Sequence, residues 1–192
     1  MLAESRAGVI CTPHSEASAA GMRVLDAGGT AIDAMLAASA MLSAVYPHMT
    51  GLGGDALWMI HDRRVRTIVG IGQAGQLLPD GGVIGLRGPS AVATTAGALA
   101  SWQTAHNISR GEWGSRMGWQ DLLGEAAQVA RAGAEVSESH LFWQQQRQAL
   151  IETLPDLKAL CQVDGRWLQA GDLLRQPQLA NTLEQLARHG VE

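Results

Sequence analysis

The sequence predicts an α+β chain, with short strands and glycine-rich turns before residue 90 and helices after it. Three observations carry this. Apolar runs of β type occupy 8–12, 56–61 and 65–70, glycine-rich loops cluster before residue 90, and helical periodicity dominates 91–106, 118–132, 137–152 and 177–189.

The elements follow in order. Gly8 to Thr12 is a short apolar run stopped by Pro13, and Ser15, placed as a helix N-cap, opens an Ala-rich helix that Gly28-Gly29 ends. Thr30, followed three residues on by Asp33, forms a capping-box pattern for a second helix. That helix is apolar on nearly all sides up to Pro47, so it must be buried. Its Ala content allows neighbours to approach closely. Ala56–His61 and Val65–Gly70, joined at Asp62-Arg63-Arg64, form a hairpin, and Gly70, Gly72 and Gly75 then break the pattern. Asp80-Gly81-Gly82 and Gly88-Pro89 mark further loops. Asp164-Gly165 is a turn signal for a small hairpin over 162–168.

Composition narrows the function classes. With 192 residues the chain can build one sizeable core or two small ones. Charged residues are only 17% and glycines number 23, so helices are expected to pack closely or to lean on a partner that covers apolar surface. A net charge of −4 with no basic run gives no footprint for nucleic acid. The longest apolar run, Ala31–Tyr46, is short for a membrane span and carries Asp33. The first residues show no apolar signal core, and two cysteines make no disulfide framework, so a cytoplasmic setting is expected. Cys11 and Cys161 read as small buried hydrophobes.

Chemistry-bearing residues are sparse. The loop 51–55 contains Gly51, Gly53 and Gly54, but no Gly-Lys-Ser/Thr follows and the loop precedes a strand, so a close-packed backbone crossing is expected rather than a phosphate cradle. Six histidines include no pair at zinc-ligand spacing on one helix face, so no metal is expected. His48, beside that loop, reads as a hydrogen-bonding anchor. No Ser or Cys stands in a nucleophile elbow, and five of the six tryptophans, in the helical half, read as core or interface. Taken from these residues alone, the chain is incomplete as an enzyme.

Three blocks carry a resemblance. His14-Ser-Glu-Ala-Ser-Ala-Ala-Gly21, Val24-Leu-Asp-Ala-Gly-Gly-Thr-Ala-Ile-Asp-Ala34 and Pro47-His-Met-Thr-Gly-Leu-Gly-Gly-Asp55 resemble the N-terminal region of γ-glutamyltranspeptidases. The helix after Trp119 and the block Gly171-Asp172 to Thr182-Leu183 are similar to later parts of the same family, in the same order. The resemblance implies an N-terminal-nucleophile hydrolase with a four-layer αββα sandwich. In such enzymes a precursor cuts itself, and the exposed Thr of the small subunit is both nucleophile and, through its α-amine, general base. Residues 1–192 are then expected to be the large-subunit portion of a single domain completed by a small subunit from the same precursor. The nucleophile and oxyanion hole lie on that partner, no catalytic residue lies in this chain, and no cofactor is needed. A dimer of heterodimers is compatible with this.

One departure bears on substrate. Family transferases carry Arg-Glu-x-Ala-Pro after the hairpin, whose Arg grips the substrate α-carboxylate; the stretch here is Ile71-Gly72-Gln73-Ala74-Gly75. Ile71 stands at the Arg position and cannot make the bidentate, charge-assisted contact. The substrate-binding expectation is therefore Ile71, Gly72 and Gln73, with the Gln73 amide available to a small substrate. Family members without that Arg include acylases and oxamate amidohydrolases. Hydrolysis of a small amide, oxamate first, is expected ahead of γ-glutamyl transfer, glutathione hydrolysis, cephalosporin or glutaryl acylase activity, or a non-catalytic binding or scaffold role.

Overall fold

Helix α2, Ala31–Val45, is buried along most of its length, and its surroundings organise the larger of two compact units. The computed structural model describes residues 2–4, 8–75, 84–88, 91–92 and 94–191; the Asp80-Gly81-Gly82 turn and Pro89 lie outside them. One unit comprises 1–51 and 106–190, the other 52–105. Among the described residues no helix is long and apolar enough to cross a membrane.

In the larger unit, β1 (Leu2–Glu4) pairs antiparallel with β2 (Val9–Cys11). Helix α1 (Ser15–Asp26) follows, and its N-cap is His14 rather than the expected Ser15. The His14 Nδ1 accepts from the Glu16 N–H at 3.3 Å, a task an imidazole performs as well as a hydroxyl. The helix ends as expected: Gly28 has φ +87°, and the N–H groups of Gly28 and Gly29 donate to Leu25 O and Val24 O. Packing of α1 on α2 is close because Gly21 faces Ala34 O and Ala38, where an added Cβ has no room.

The capping box at the start of α2 forms as read. Asp33 N–H donates to Thr30 Oγ1 at 3.2 Å, and Thr30 N–H donates to Asp33 Oδ2 at 2.8 Å. Asp33 does more than cap. Its side chain is fully buried and also accepts Ser109 Oγ at 2.8 Å and Ser115 Oγ at 2.6 Å, tying α2 to the chain 76 and 82 residues away. Leu36 and Met41 are wholly buried, each stabilising the core by roughly 2 kcal/mol.

Helix α4 (Trp119–Ala132) covers α2 and carries α8 (Pro177–His189) on its other side. Leu122, Leu123, Ala126, Ala127 and Ala130 of α4 face inward. Gln176, buried at the start of α8, donates from Nε2 to Ala44 O at 2.8 Å, satisfying a carbonyl at the C-terminal end of α2. Between α4 and α8 run β5 (Ala134–Glu135), α5 (Glu138–Gln146), α6 (Gln148–Glu152), α7 (Pro155–Leu160), β6 (Gln162–Val163), β7 (Arg166–Trp167) and β8 (Leu173–Leu174). The expected helix over 137–152 is broken at Arg147, whose backbone leaves helical values at φ −119° and whose guanidinium stacks on Trp143 at 4.4 Å. The small hairpin forms as read, with Asp164 and Gly165 at φ 50° and 76°, the left-handed pair that a two-residue turn requires. Cys161 is buried as expected, whereas Cys11 is exposed because its position on β2 points away from Ile10 and the helices.

In the smaller unit, β3 (Ala56–Asp62) and β4 (Arg64–Gly70) form the expected hairpin, turning at Arg63 with φ 57°. Period-two alternation gives it two faces. Trp58 and Ile60 point to the inner face, where Trp58 Nε1 donates to Ser101 Oγ at 3.0 Å. The outer face is apolar and open: Leu57, Met59, Val65 and Val69 are 60–79% exposed. Helix α3 is Ala98–Glu112, not 91–106, because Thr94 and Thr95 are taken into an extended pairing described below.

Replacing Asp33 by Ala removes the acceptor of the Thr30 N–H and of the Ser109 and Ser115 hydroxyls, leaving Ser109 its Thr30 Oγ1 partner and Ser115 only the Met117 N–H it accepts. We expect Asp33→Ala to lower unfolding free energy by about 3 kcal/mol and Ser115→Ala by about 1 kcal/mol, read as the shift in urea midpoint at constant m-value.

Candidate functional site

The segment leaving β4 holds the residues singled out for substrate binding. Gly70 is buried against Ser101 and Gly97, and a Cβ at Gly72 would overlap Thr95 O. Thr95 N–H donates to Gln73 O at 3.0 Å, and Ala74 bridges Thr94 in antiparallel fashion. Gly54 O accepts both Gly97 N–H at 3.1 Å and Ala98 N–H at 2.9 Å. Three stretches of backbone, 54, 70–74 and 94–98, therefore meet at near-contact distance, which only glycine permits at 70, 72 and 97.

This corrects the reading of the earlier glycines. Of these glycines only Gly54 takes part in the crossing, and by its carbonyl; a Cβ on Gly51, Gly53 or Gly54 meets nothing within 4 Å, so the positions that demand glycine are 70, 72 and 97. Two N–H groups at the start of α3, those of Gly97 and Ala98, are also occupied by the Gly54 carbonyl, which removes them from service to an anion.

The crossing fixes main chain and leaves side chains outward. Ile71 is 50% exposed, and Gln73 is exposed with its backbone carbonyl, not its amide, bonded to Thr95. Gly72 supplies the close approach between them. The three residues thus form one rigid edge presenting an aliphatic surface and an exposed carboxamide, with no cationic side chain among them. Such an edge can line a pocket for a small neutral or weakly polar group, but it holds no proton-transfer group.

A second constellation lies in the larger unit and escapes sequence reading, since its members are some 90 residues apart. Tyr46, His48, Ser139 and His140 meet where α2 ends and α5 begins. His48 Nε2 and Ser139 Oγ share a 3.0 Å hydrogen bond, and Tyr46 OH lies 3.4 Å from the same Oγ. The anchoring role read for His48 is therefore present. Burial, with His140, Arg147 and His14 nearby, lowers the His48 pKa to about 4, and burial also lowers those of His140 and His14. His48 is thus neutral at pH 7. Its Nδ1 is buried without a partner among the described residues, so no carboxylate orients the ring as an acylating Ser–His pair requires. Among the described residues no group of three His, Cys, Asp or Glu is arranged to hold a metal.

The γ-glutamyltranspeptidase model matches residues 17–192. The oxamate amidohydrolase proenzyme of Klebsiella pneumoniae subsp. pneumoniae is 36% identical over 198 residues, covering 96% of this chain and 36% of its own length. The glutathione hydrolase-like YwrD proenzyme of Bacillus subtilis is 32% identical over 190 residues, covering 95% of this chain and 35% of its own length. This chain therefore spans about a third of the length of these curated relatives. Among solved structures, the γ-glutamyltranspeptidase from Pseudomonas nitroreducens superposes with a TM-score of 0.82 at 24% identity, over 97% of this chain and 56% of that one. Cephalosporin acylase from Bacillus halodurans superposes with a TM-score of 0.79 at 22% identity, over 92% of this chain and 35% of that one; at these identities the likeness speaks to fold alone. Matched by the family model over most of its length and sharing the fold of those structures, the chain belongs to the γ-glutamyltranspeptidase family, with the α+β fold of N-terminal-nucleophile hydrolases.

Proposed function

We propose that this chain is the large-subunit portion of an autoprocessed amidohydrolase of a small non-peptide amide, oxamate first, and that a small subunit from the same precursor completes it into one domain. The observation that speaks against a γ-glutamyl substrate is Ile71, an exposed aliphatic residue at the position where family transferases are expected to hold a carboxylate-binding Arg; oxamate, itself a carboxylate, would then turn its anionic end away from this edge. The relative at 36% identity, named as an oxamate amidohydrolase proenzyme, supports the same choice. The open apolar face of β3 and β4 supports a missing layer, since four large side chains left 60–79% exposed on one face call for cover.

In this reading the partner's N-terminal Thr hydroxyl attacks the amide carbonyl while its α-amine takes the proton. Backbone N–H groups of the partner hold the oxyanion, ammonia leaves, and water attacks the acyl-enzyme to release the acid, oxalate from oxamate. This chain contributes the edge Ile71–Gln73, with the Gln73 amide donating to or accepting from the substrate. No metal or cofactor takes part, and the setting is cytoplasmic. A second reading, γ-glutamyl or glutathione hydrolysis, draws on the relative at 32% identity named glutathione hydrolase-like.

The test is a substrate panel on the complete protein: oxamate, a glutaryl amide and a γ-glutamyl anilide. Oxamate turnover exceeding that of the anilide is the expected result, and preference for the anilide would reverse the assignment. Ile71→Arg is expected to shift the anilide-to-oxamate ratio of kcat/KM by about tenfold or more toward the anilide, worth about 1.4 kcal/mol of differential recognition. Residues 1–192 expressed alone are expected to aggregate and to bind a hydrophobic dye, whereas a stable, dye-silent monomer would favour a stand-alone scaffold.

A further inference from the structure

Beyond any catalytic role, two imidazoles meet in the larger unit and a third stands on the far side of Tyr46. His48 sits with its ring 5.1 Å from His140, edge-on, and 4.3 Å from Tyr46, whose other neighbour is His14 at 6.5 Å. Each comes from a different part of the chain: His14 caps α1, Tyr46 and His48 leave α2, and His140 lies in the first turns of α5. Arg147, which ends α5, adds a fixed positive charge that acts on His48.

The charges that act on His48 have one sign. The groups acting on His48 are His140, Arg147 and His14, all cationic when protonated. Glu16 acts on His14 but does not appear among the groups acting on His48. Among the described residues no carboxylate is ion-paired with His48 or His140, and His48 Nδ1, the atom that would gain a proton, is buried without an acceptor. A proton placed there would be desolvated, unpaired and beside a guanidinium.

What the cluster holds together is the junction of α2 and α5. The His48–Ser139 hydrogen bond and the His48–His140 ring contact join 46–48 to the first turn of α5, a nine-residue helix with only His140 and Gln144 buried. Farther along, Leu141 packs on Val136, Leu168 and Leu174, and Gln144 Nε2 donates to Leu168 O at 3.1 Å; with only two residues buried, α5 still belongs to the low-stability end of the fold.

We propose that His14, His48, His140 and Arg147 form an acid-operated latch that holds α5 to the end of α2 at neutral pH and releases it when His48 takes up a proton. The direction follows from linkage. His48 in the closed form titrates at about 4, below its ordinary 6.5, so the released form binds the proton more tightly. Closure is complete above about pH 6.5 and is lost progressively as the pH falls toward about 4.

Hydrogen exchange read by mass spectrometry on the complete protein tests this, with rates corrected for intrinsic chemistry and α8 as internal reference. Between about pH 7 and 4.5, exchange over 138–146 is expected to rise about tenfold or more while that over 177–189 does not. His48→Gln keeps an amide that can bond Ser139 but takes up no proton, and is expected to reduce the rise to under about threefold. His140→Gln, which removes a neighbouring imidazole that would share the cluster's positive charge once protonated, is expected to lessen the rise and serves if the first variant does not fold. An α5 whose exchange stays level with α8 in the wild type, or a rise of the same size in the folded variants, overturns the latch.

Discussion

A helix apolar on every side has to be surrounded, and α2 imposes that demand on the larger unit. Ala31–Val45 exposes so little that α1 and α4 must both lie against it, and α1 does so at backbone distance because Gly21 and Ala38 leave room. Burying a helix also buries its polar ends. Both ends are answered by side chains from afar: Asp33 collects Ser109 and Ser115 at the start, and Gln176 takes Ala44 O at the finish. These polar anchors fix the order of the helices, since apolar contact alone does not specify register.

The hairpin of β3 and β4 shows the same demand unmet. Its inner face is satisfied by Ser101, while its outer face keeps Leu57, Met59, Val65 and Val69 in the open. A sheet apolar on both faces is the middle of a layered structure rather than its surface. That contrast gives the proposal of a second subunit its physical basis. The edge proposed for substrate, Ile71–Gln73, continues directly from β4, held by Gly72 against Thr95, with the Ile71 and Gln73 side chains exposed.

Local signals made much of this legible. The Thr30/Asp33 box, the Gly28-Gly29 stop, both hairpins and α8 depend on residues within a few positions of each other, and all appear where the sequence places them. What depended on distant partners was hidden. His14 looks no more like a cap than Ser15 until its ring meets the Glu16 N–H. The helical pattern from Ala91 is overridden where Thr94 and Thr95 pair with 73–74, and α5 ends at Arg147 where its guanidinium finds Trp143. The Ile71 edge is legible from the family resemblance, and the backbone crossing read at 51–55 exists through the Gly54 carbonyl, but the glycines held at contact distance are 70, 72 and 97, because composition shows where glycines cluster and not what they touch. His48 could be read as an anchor from its place beside the glycine loop, but its partners Ser139 and His140, some 90 residues on, carry no local signal.

The central claim is that the reactive hydroxyl belongs to a companion polypeptide released from the same precursor. Terminal sequencing of whatever co-purifies with this chain addresses it directly. A stoichiometric second polypeptide beginning with Thr is the predicted result; an active preparation containing no second polypeptide, or one whose companion begins with a residue lacking a hydroxyl or thiol, would contradict it.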